Sequence, residues 1–185
     1  MPKALLCPPD HYAIDYEINP WMNRRHAVDA PLARAQWQRL HDALLKLGCE
    51  IELIPPQPGL PDMVFTANAG LVAGSRVFLS NFRFKERRGE TVHFERWFRG
   101  HGYDILRMPE SACFEGEGDA LMAGDILVCG YRFRSDVRAH QRISETLHCL
   151  AISVELVDAR FYHLDTCFCP LPGGGAIWFP PAFDE

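Results

Sequence analysis

The sequence predicts an α/β protein built from successive strand-turn-strand-helix-strand units, set side by side like the blades of a propeller or the steps of a solenoid. Three observations lead there. A phenylalanine marks the same point of each unit at Phe65, Phe114 and Phe161, at intervals of 49 and 47 residues. The pairs Arg83-Phe84 and Arg132-Phe133 stand 49 residues apart, and Arg87 and Arg134 stand 47 apart. Behind each phenylalanine the same order follows: an apolar run, a glycine turn and a second apolar run. Periods of this size belong to supersecondary units that cannot bury their apolar faces alone and stack to do so.

The elements follow in chain order. Leu5-Leu6-Cys7 reads as a short strand and leads into a Pro- and Asn-rich connection through Tyr16 to Met22. Asp29 or Ala30 then precedes Pro31, a residue type favoured at the first helical position. Leu32, Ala35, Leu40, Ala43, Leu44 and Leu47 follow at helical spacing, and Gly48 supplies the stop. Glu50 to Ile54 alternates as a strand does. Met63 to Val72 and Val77 to Leu79 then read as strand, turn, strand. A helix around His93 to Arg99 and a strand from Tyr103 to Met108 finish that unit. The next unit repeats it: Phe114 to Met122, Gly124, Ile126 to Cys129, a helix reaching Leu150, and a strand from Ser153 to Val157. A third copy opens with a strand from Phe161 to Leu171, turns at Gly173-Gly174-Gly175 and returns along Ala176 to Phe179. No helix follows it in the sequence, so the expectation is one domain over residues 1–185, truncated at its C-terminus.

The totals narrow the function classes. The chain has 185 residues, 48% apolar and 23% charged, the composition of an ordinary globular protein. A net charge of −5 argues against nucleic acid or an anionic membrane as partner. No apolar run approaches the ~20 residues that cross a bilayer. Met1 to Cys7 holds one Lys and then meets Pro8-Pro9, which is not a signal peptide. Seven cysteines form an odd set without a CxxC, mostly beside apolar runs. That usage fits buried thiols in a reducing compartment. A cytoplasmic protein without metal or other cofactor is expected, because the spacings of a structural zinc site are missing.

The unusual polar residues fall on the first strand of each copy: Asn68, then Glu115 and Asp119, then His163 and Asp165. On a strand, residues two apart share a face, so His163 and Asp165 would look into one space. If first strands converge on an axis, these groups share a cavity. Carboxylates beside a proton carrier suit a planar cation, and a guanidinium presents its N–H groups in a fork that matches carboxylates. Arg87 and Arg134, between hairpin and helix, could hold a carboxylate at the other end of such a substrate. Each residue also has an ordinary reading. Asn68 could be a turn former, Glu115 to Asp119 an exposed acidic turn, and the two arginines solvated surface charge. Their equivalent places in successive copies favour a site.

With these residues in view, the chain resembles the guanidino-group-modifying superfamily. That group includes arginine deiminase, dimethylarginine dimethylaminohydrolase, amidinotransferases, and the arginine and succinylarginine dihydrolases. The matching motifs are Pro61-Asp62-Met63-Val64-Phe65-Thr66-Ala67-Asn68-Ala69-Gly70, Phe114-Glu115-Gly116-Glu117-Gly118-Asp119 and His163-Leu164-Asp165. Tyr16-Glu17-Ile18-Asn19-Pro20-Trp21-Met22 is similar to the opening of the dihydrolase branch. The resemblance implies a pentein-type α/β propeller of five blades, of which this chain would hold about three to three and a half. It implies that Glu115 and Asp165 clamp a guanidinium, that His163 is general acid and base, and that Asn68 belongs to the catalytic set. Arg87 and Arg134 would bind the substrate carboxylate, with Phe65 and Asn19 as further substrate-binding residues.

Two departures carry weight. Deiminases have an Asp where this chain has Asn68, and an Asn there resembles the dihydrolases, which hydrolyse twice. A neutral amide would hold the second, urea-like intermediate without repelling hydroxide. The family's attacking cysteine comes near the C-terminus, and none of the seven cysteines matches it. Cys167, set on the face of His163 and Asp165, suits packing better than attack. The expected function is a hydrolase of arginine or an N-methylated arginine through a covalent Cys-amidino intermediate, with its nucleophile downstream of this chain. The alternatives are an amidinotransferase and a non-catalytic arginine-binding module. A homo-oligomer or a complementing C-terminal fragment would cover the apolar edge left by an incomplete array.

Overall fold

The computed structural model describes residues 1–184, which divide into two compact units, Met1–Thr66 and Ala67–Glu185. In the first, β1 (Lys3–Leu6) runs parallel to β2 (Glu50–Leu53), with Leu6 opposite Leu53, and α1 (Ala30–Lys46) forms the crossover. The helix starts where the sequence says it should. Asp29 is the N-cap, its carboxylate accepting the Leu32 N–H at 2.9 Å, and Pro31 sits in the first turn. Gly48, at φ +81°, takes the left-handed conformation that lets the chain turn back into β2.

The second unit shows the repeat. β3 (Gly70–Ala73) pairs antiparallel with β4 (Arg76–Leu79), α2 (Glu90–Gly100) crosses over, and β5 (Asp104–Arg107) lies parallel to β4. β6 (Ala120–Ala123), β7 (Ile126–Tyr131), α3 (Val137–Leu147) and β8 (Leu150–Glu155) repeat that pattern of antiparallel then parallel pairing. A third hairpin, β9 (Phe168–Pro170) with β10 (Ala176–Trp178), follows. The chain then returns beside β8, where the Val157 N–H donates to the Ala182 carbonyl at 2.9 Å. This is an α/β fold. Leu71, Phe78, Phe114, Leu127, Ala139 and Ile143 share one core that spans the first two copies. Burying a side chain the size of Phe78 or Phe114 contributes about 1.5–3 kcal/mol. No helix among the described residues is long and apolar enough to cross a membrane.

The structure corrects the first strand of every copy. Met63 to Val72 is two 3₁₀ turns, Pro61–Val64 and Thr66–Ala69, and only then β3. Phe114 to Met122 holds the turn Gly116–Gly118 ahead of β6, and Phe161 to Leu171 holds Ala159–Phe161 and Leu164–Thr166 ahead of β9. The polar residues read as strand positions therefore sit on the turns that precede the strands. Side-chain hydrogen bonds, one local and one from the preceding copy, explain this, because polar side chains offer the backbone an alternative to ladder pairing. The Thr166 hydroxyl donates to the His163 carbonyl at 2.6 Å, and the Asp119 carboxylate accepts the Leu164 N–H at 3.2 Å. His163 and Asp165 consequently do not share a face by strand alternation: His163 is buried and Asp165 exposed.

Candidate active site

The turns bring Asn68, Glu115, Asp119 and His163 together inside the second unit, with Arg87 and Arg134 from the segments ahead of α2 and α3. All six side chains are buried. Glu115 is neither exposed nor part of an acidic turn. Its Oε1 accepts the Arg83 N–H at 3.1 Å, and its Oε2 takes Arg134 Nη1 at 3.0 Å and faces His163 Nε2 at 3.4 Å. The other ring nitrogen, Nδ1, lies 3.1 Å from Asp119 Oδ1. Neither imidazole contact is well enough aligned to be a good hydrogen bond, so the attraction is that of an ion pair held by packing.

Burial alone would push the His163 pKa down. The Asp119 and Glu115 carboxylates outweigh it and hold the imidazole up to about 9. Burial likewise works to raise Glu115, and His163, Arg134 and Arg87 outweigh that, bringing it down to about 2. These are one attraction seen from its two ends, and its direction is clear: an imidazolium between two carboxylates. Asp165, two residues on, is exposed over its surface as a whole, yet the protein around its carboxyl group pushes its pKa up to about 6 against the pull of His163. It has no hydrogen-bond or ion-pair partner among the described residues.

Arg87 and Arg134 are not surface charges. Arg87 grips Glu90 with two parallel bonds, Nε to Oε1 at 2.8 Å and Nη2 to Oε2 at 2.9 Å, and donates from Nη1 to Asn68 Oδ1 at 2.8 Å. Its guanidinium lies over the Phe82 ring at 4.6 Å, and that of Arg134 lies between the Phe84 and Tyr162 rings at 4.8 and 4.7 Å. Phe65 and Asn19 belong to the first unit. There Phe65 is half-exposed and meets the Tyr12 ring edge-on, and Asn19 Oδ1 caps the Trp21 N–H at 2.9 Å.

Two glycines let these groups close up. Gly116 has φ +62°, and a methyl group there would lie 2.6 Å from the Ala67 carbonyl. A methyl group on Gly118 would lie 2.2 Å from Asn68 Nδ2 and 3.1 Å from His163 Nδ1. G118A should therefore drive the Asn68 amide off Arg87 and destabilise the fold by about 1–3 kcal/mol, read as a lower urea midpoint. An unchanged midpoint would mean that the two side chains do not meet across Gly118.

Sequence reasoning passed over Glu90 and Ser135 and gave Asp119 no role of its own. Glu90 stands three residues after Arg87 at a helix start, a usable signal for a pair on one face. Ser135 left none. The thiols near the cluster are not set for attack. Cys167 points at the carbonyls of its own turn, His163 at 3.8 Å and Leu164 at 3.5 Å, and burial pushes its pKa up to about 11. Cys129 is pushed up to about 12.

No family model matches the chain, but individual proteins do. It is 48% identical to the bifunctional arginine dihydrolase/ornithine cyclodeaminase ArgZ of Synechocystis, over 98% of this chain and 26% of that protein. It is 44% identical to the N(G),N(G)-dimethylarginine dimethylaminohydrolase of Mycobacterium tuberculosis, over 98% of this chain and 59% of that one. The solved N-terminal domain of ArgZ, an arginine dihydrolase from cyanobacteria, superimposes with a TM-score of 0.94 at 47% identity, covering 99% of this chain and 68% of the domain. The chain belongs to the guanidino-group-modifying superfamily. The chain spans 26% of the length of full-length ArgZ and 59% of that of the mycobacterial enzyme. Two structures of the ArgZ domain are of variants, a Cys-to-Ser form bound to substrate and an Asn-to-Ser form covalently bound to a reaction intermediate.

Proposed function

We propose that this chain carries the guanidinium-binding and proton-transfer half of a hydrolase acting on arginine or an N-methylated arginine, on a pentein-type propeller. One observation carries the reading. Three cations of the cluster are each set against a carboxylate: Arg87 against Glu90, Arg134 against Glu115, and His163 against Asp119. Asp165, beside them, has no such counter-ion, and with a pKa of about 6 it is mostly ionised at neutral pH. A carboxylate left open beside such a cluster suits one guanidinium, which pairs with carboxylates in a bidentate fork.

In this reading Asp165 and Glu115 hold the guanidinium. His163 gives a proton to the leaving ammonia and then takes one from water. Neither Cys167 nor Cys129, whose thiols are buried and held protonated, is set to be the nucleophile that forms the Cys-amidino intermediate. In ArgZ an Asn-to-Ser variant was captured as a covalent intermediate. Asn68, the asparagine of this cluster, is accordingly assigned to the step that resolves the intermediate. The resemblance gives Arg87 and Arg134 the substrate carboxylate, and in this structure both are already paired, with Glu90 and Glu115. The resemblance gives Phe65 and Asn19 substrate-binding roles as well, and the case does not rest on them.

Calorimetry on the chain decides the matter. L-arginine should give saturable heat, agmatine (which lacks the carboxylate) much weaker heat, and D165N none with either. Equal heats for parent and D165N, or no heat with L-arginine, would sink the proposal.

A further inference from the structure

We infer that Ser135, acting through the Asp119 carboxylate, fixes which nitrogen of His163 carries the proton that moves. It is a positioning residue. Its catalytic meaning rests on the guanidino-hydrolase reading, while the geometry stands without it.

Ser135 is fully buried. Its Oγ accepts the Glu115 N–H at 3.0 Å and lies 2.6 Å from Asp119 Oδ2. A serine hydroxyl has one proton to give, and an ionised carboxylate offers only lone pairs. The backbone amide already occupies a lone pair of the hydroxyl oxygen, so the proton points at Asp119. The other carboxylate oxygen, Oδ1, takes the Leu164 N–H at 3.2 Å and faces His163 Nδ1 at 3.1 Å. Asp119 is thus tied at both ends and cannot rotate away from the ring. The Asp119 oxygen lies closer to Nδ1 (3.1 Å) than the Glu115 oxygen does to Nε2 (3.4 Å), and this stronger attraction, though not an aligned hydrogen bond, favours the Nδ1–H tautomer of the neutral ring. The proton that leaves and returns is then the one on Nε2, 3.4 Å from Glu115 Oε2, on the side of the proposed guanidinium clamp. One hydroxyl in this way joins the backbone of one acid to the side chain of the other.

The turn that carries Ser135 is held in an unusual conformation. The Arg132 N–H donates to the Ser135 carbonyl at 3.2 Å, and Arg132 has φ +101°, which residues other than glycine rarely take. Strain of this kind persists where the surroundings over-determine it. Here Arg132 Nη1 reaches Glu155 at 2.9 Å, and Arg83 Nε donates to the Arg134 carbonyl at 3.2 Å. The titratable and charged groups around His163 are Glu115 and Asp119 in contact, Asp165 two residues along, Arg134 through Glu115, the Tyr162 ring at 5.1 Å, and His140 beyond Asp119.

The test is nitrogen NMR of the His163 ring through a pH titration, on the chain itself, for the parent, S135A, S135C and S135T. Cysteine keeps a side chain of similar shape but is a weak donor. The parent should show the Nδ1–H tautomer above its titration midpoint. S135A should show a mixture of tautomers and a moved midpoint, with S135C between the two and S135T restoring the parent. An unmoved tautomer and midpoint in folded S135A would overturn the inference, as would a parent ring protonated on Nε2 when neutral. If S135A does not fold, S135C decides by the same two readings. If the tautomer follows Ser135 while L-arginine gives no heat, the hydrolase reading has failed and the positioning role has not.

Discussion

Glu90→Ala should cost the second unit about 3–5 kcal/mol, because it leaves the Arg87 guanidinium buried without its carboxylate. Both side chains are almost fully out of water, at 3% and 0% exposure, and the pair is bidentate. Whole domains are stable by only about 5–15 kcal/mol, so the variant should be largely unfolded in mild denaturant. Glu90→Leu combined with Arg87→Met should recover most of the loss, since replacing both ions with apolar side chains removes two desolvation costs together. A denaturant series on the parent, both single variants and the double variant gives the coupling directly. A Glu90→Ala protein within about 1 kcal/mol of the parent would show that the pair is not closed to water in solution.

Stability should also fall toward both acid and alkali, with His163 responsible for the alkaline limb. The folded-state pKa of His163, about 9, lies above its ordinary 6.5. Its contribution is therefore complete below pH 6.5 and is lost as pH rises toward 9. Glu115 runs the other way: with a folded value of about 2 against 4.5, its contribution is complete above pH 4.5 and is lost as pH falls toward 2. Asp165, raised to about 6, reinforces the alkaline direction and loses its contribution between pH 3.8 and 6. These three groups together place the maximum near pH 4, between the ordinary values of Asp165 and Glu115. The cluster as a whole is worth a few kcal/mol on a scale of about 1.4 kcal/mol per pKa unit, counting the shared His163–Glu115 attraction once. Urea midpoints across the pH range should therefore fall from pH 6.5 to 9 in the parent, and much less in H163Q. A flat alkaline limb in the parent would contradict an imidazolium held between two acids.

Much of this was legible in the sequence. The spacing of Phe65, Phe114 and Phe161 marked real copies, because each stands just ahead of the 3₁₀ turn that leads into a hairpin, although only Phe114 is fully buried. Asp29, Pro31 and Gly48 fixed the ends of α1 through capping and left-handed backbone, which are local properties. The 3₁₀ turns ahead of β3, β6 and β9 were missed for a physical reason. Apolar runs such as Met63 to Val72 look like strands by composition, and what breaks them is a set of hydrogen bonds from residues far away in sequence, such as Asp119 to the Leu164 N–H. The sequence singled out His163 and Asp165 for a strand alternation that the structure does not have. Ser135 could not have been found, because one serine before a helix is commonplace and its meaning comes entirely from the two acids it touches.

The contacts that cross from copy to copy carry a last consequence. Glu115 of the second copy is held by the Arg83 amide of the first, Glu117 accepts the Val72 N–H at 3.1 Å, and Asn81 bridges to Phe114. The copies are thus not interchangeable modules. Each supplies part of the next one's wiring, so removing or inserting a copy would break contacts that hold Glu115 in place. Variation in these proteins should instead collect at the tips of the hairpins, around Gly74-Ser75 and Gly124-Asp125, away from the bonds that join the copies.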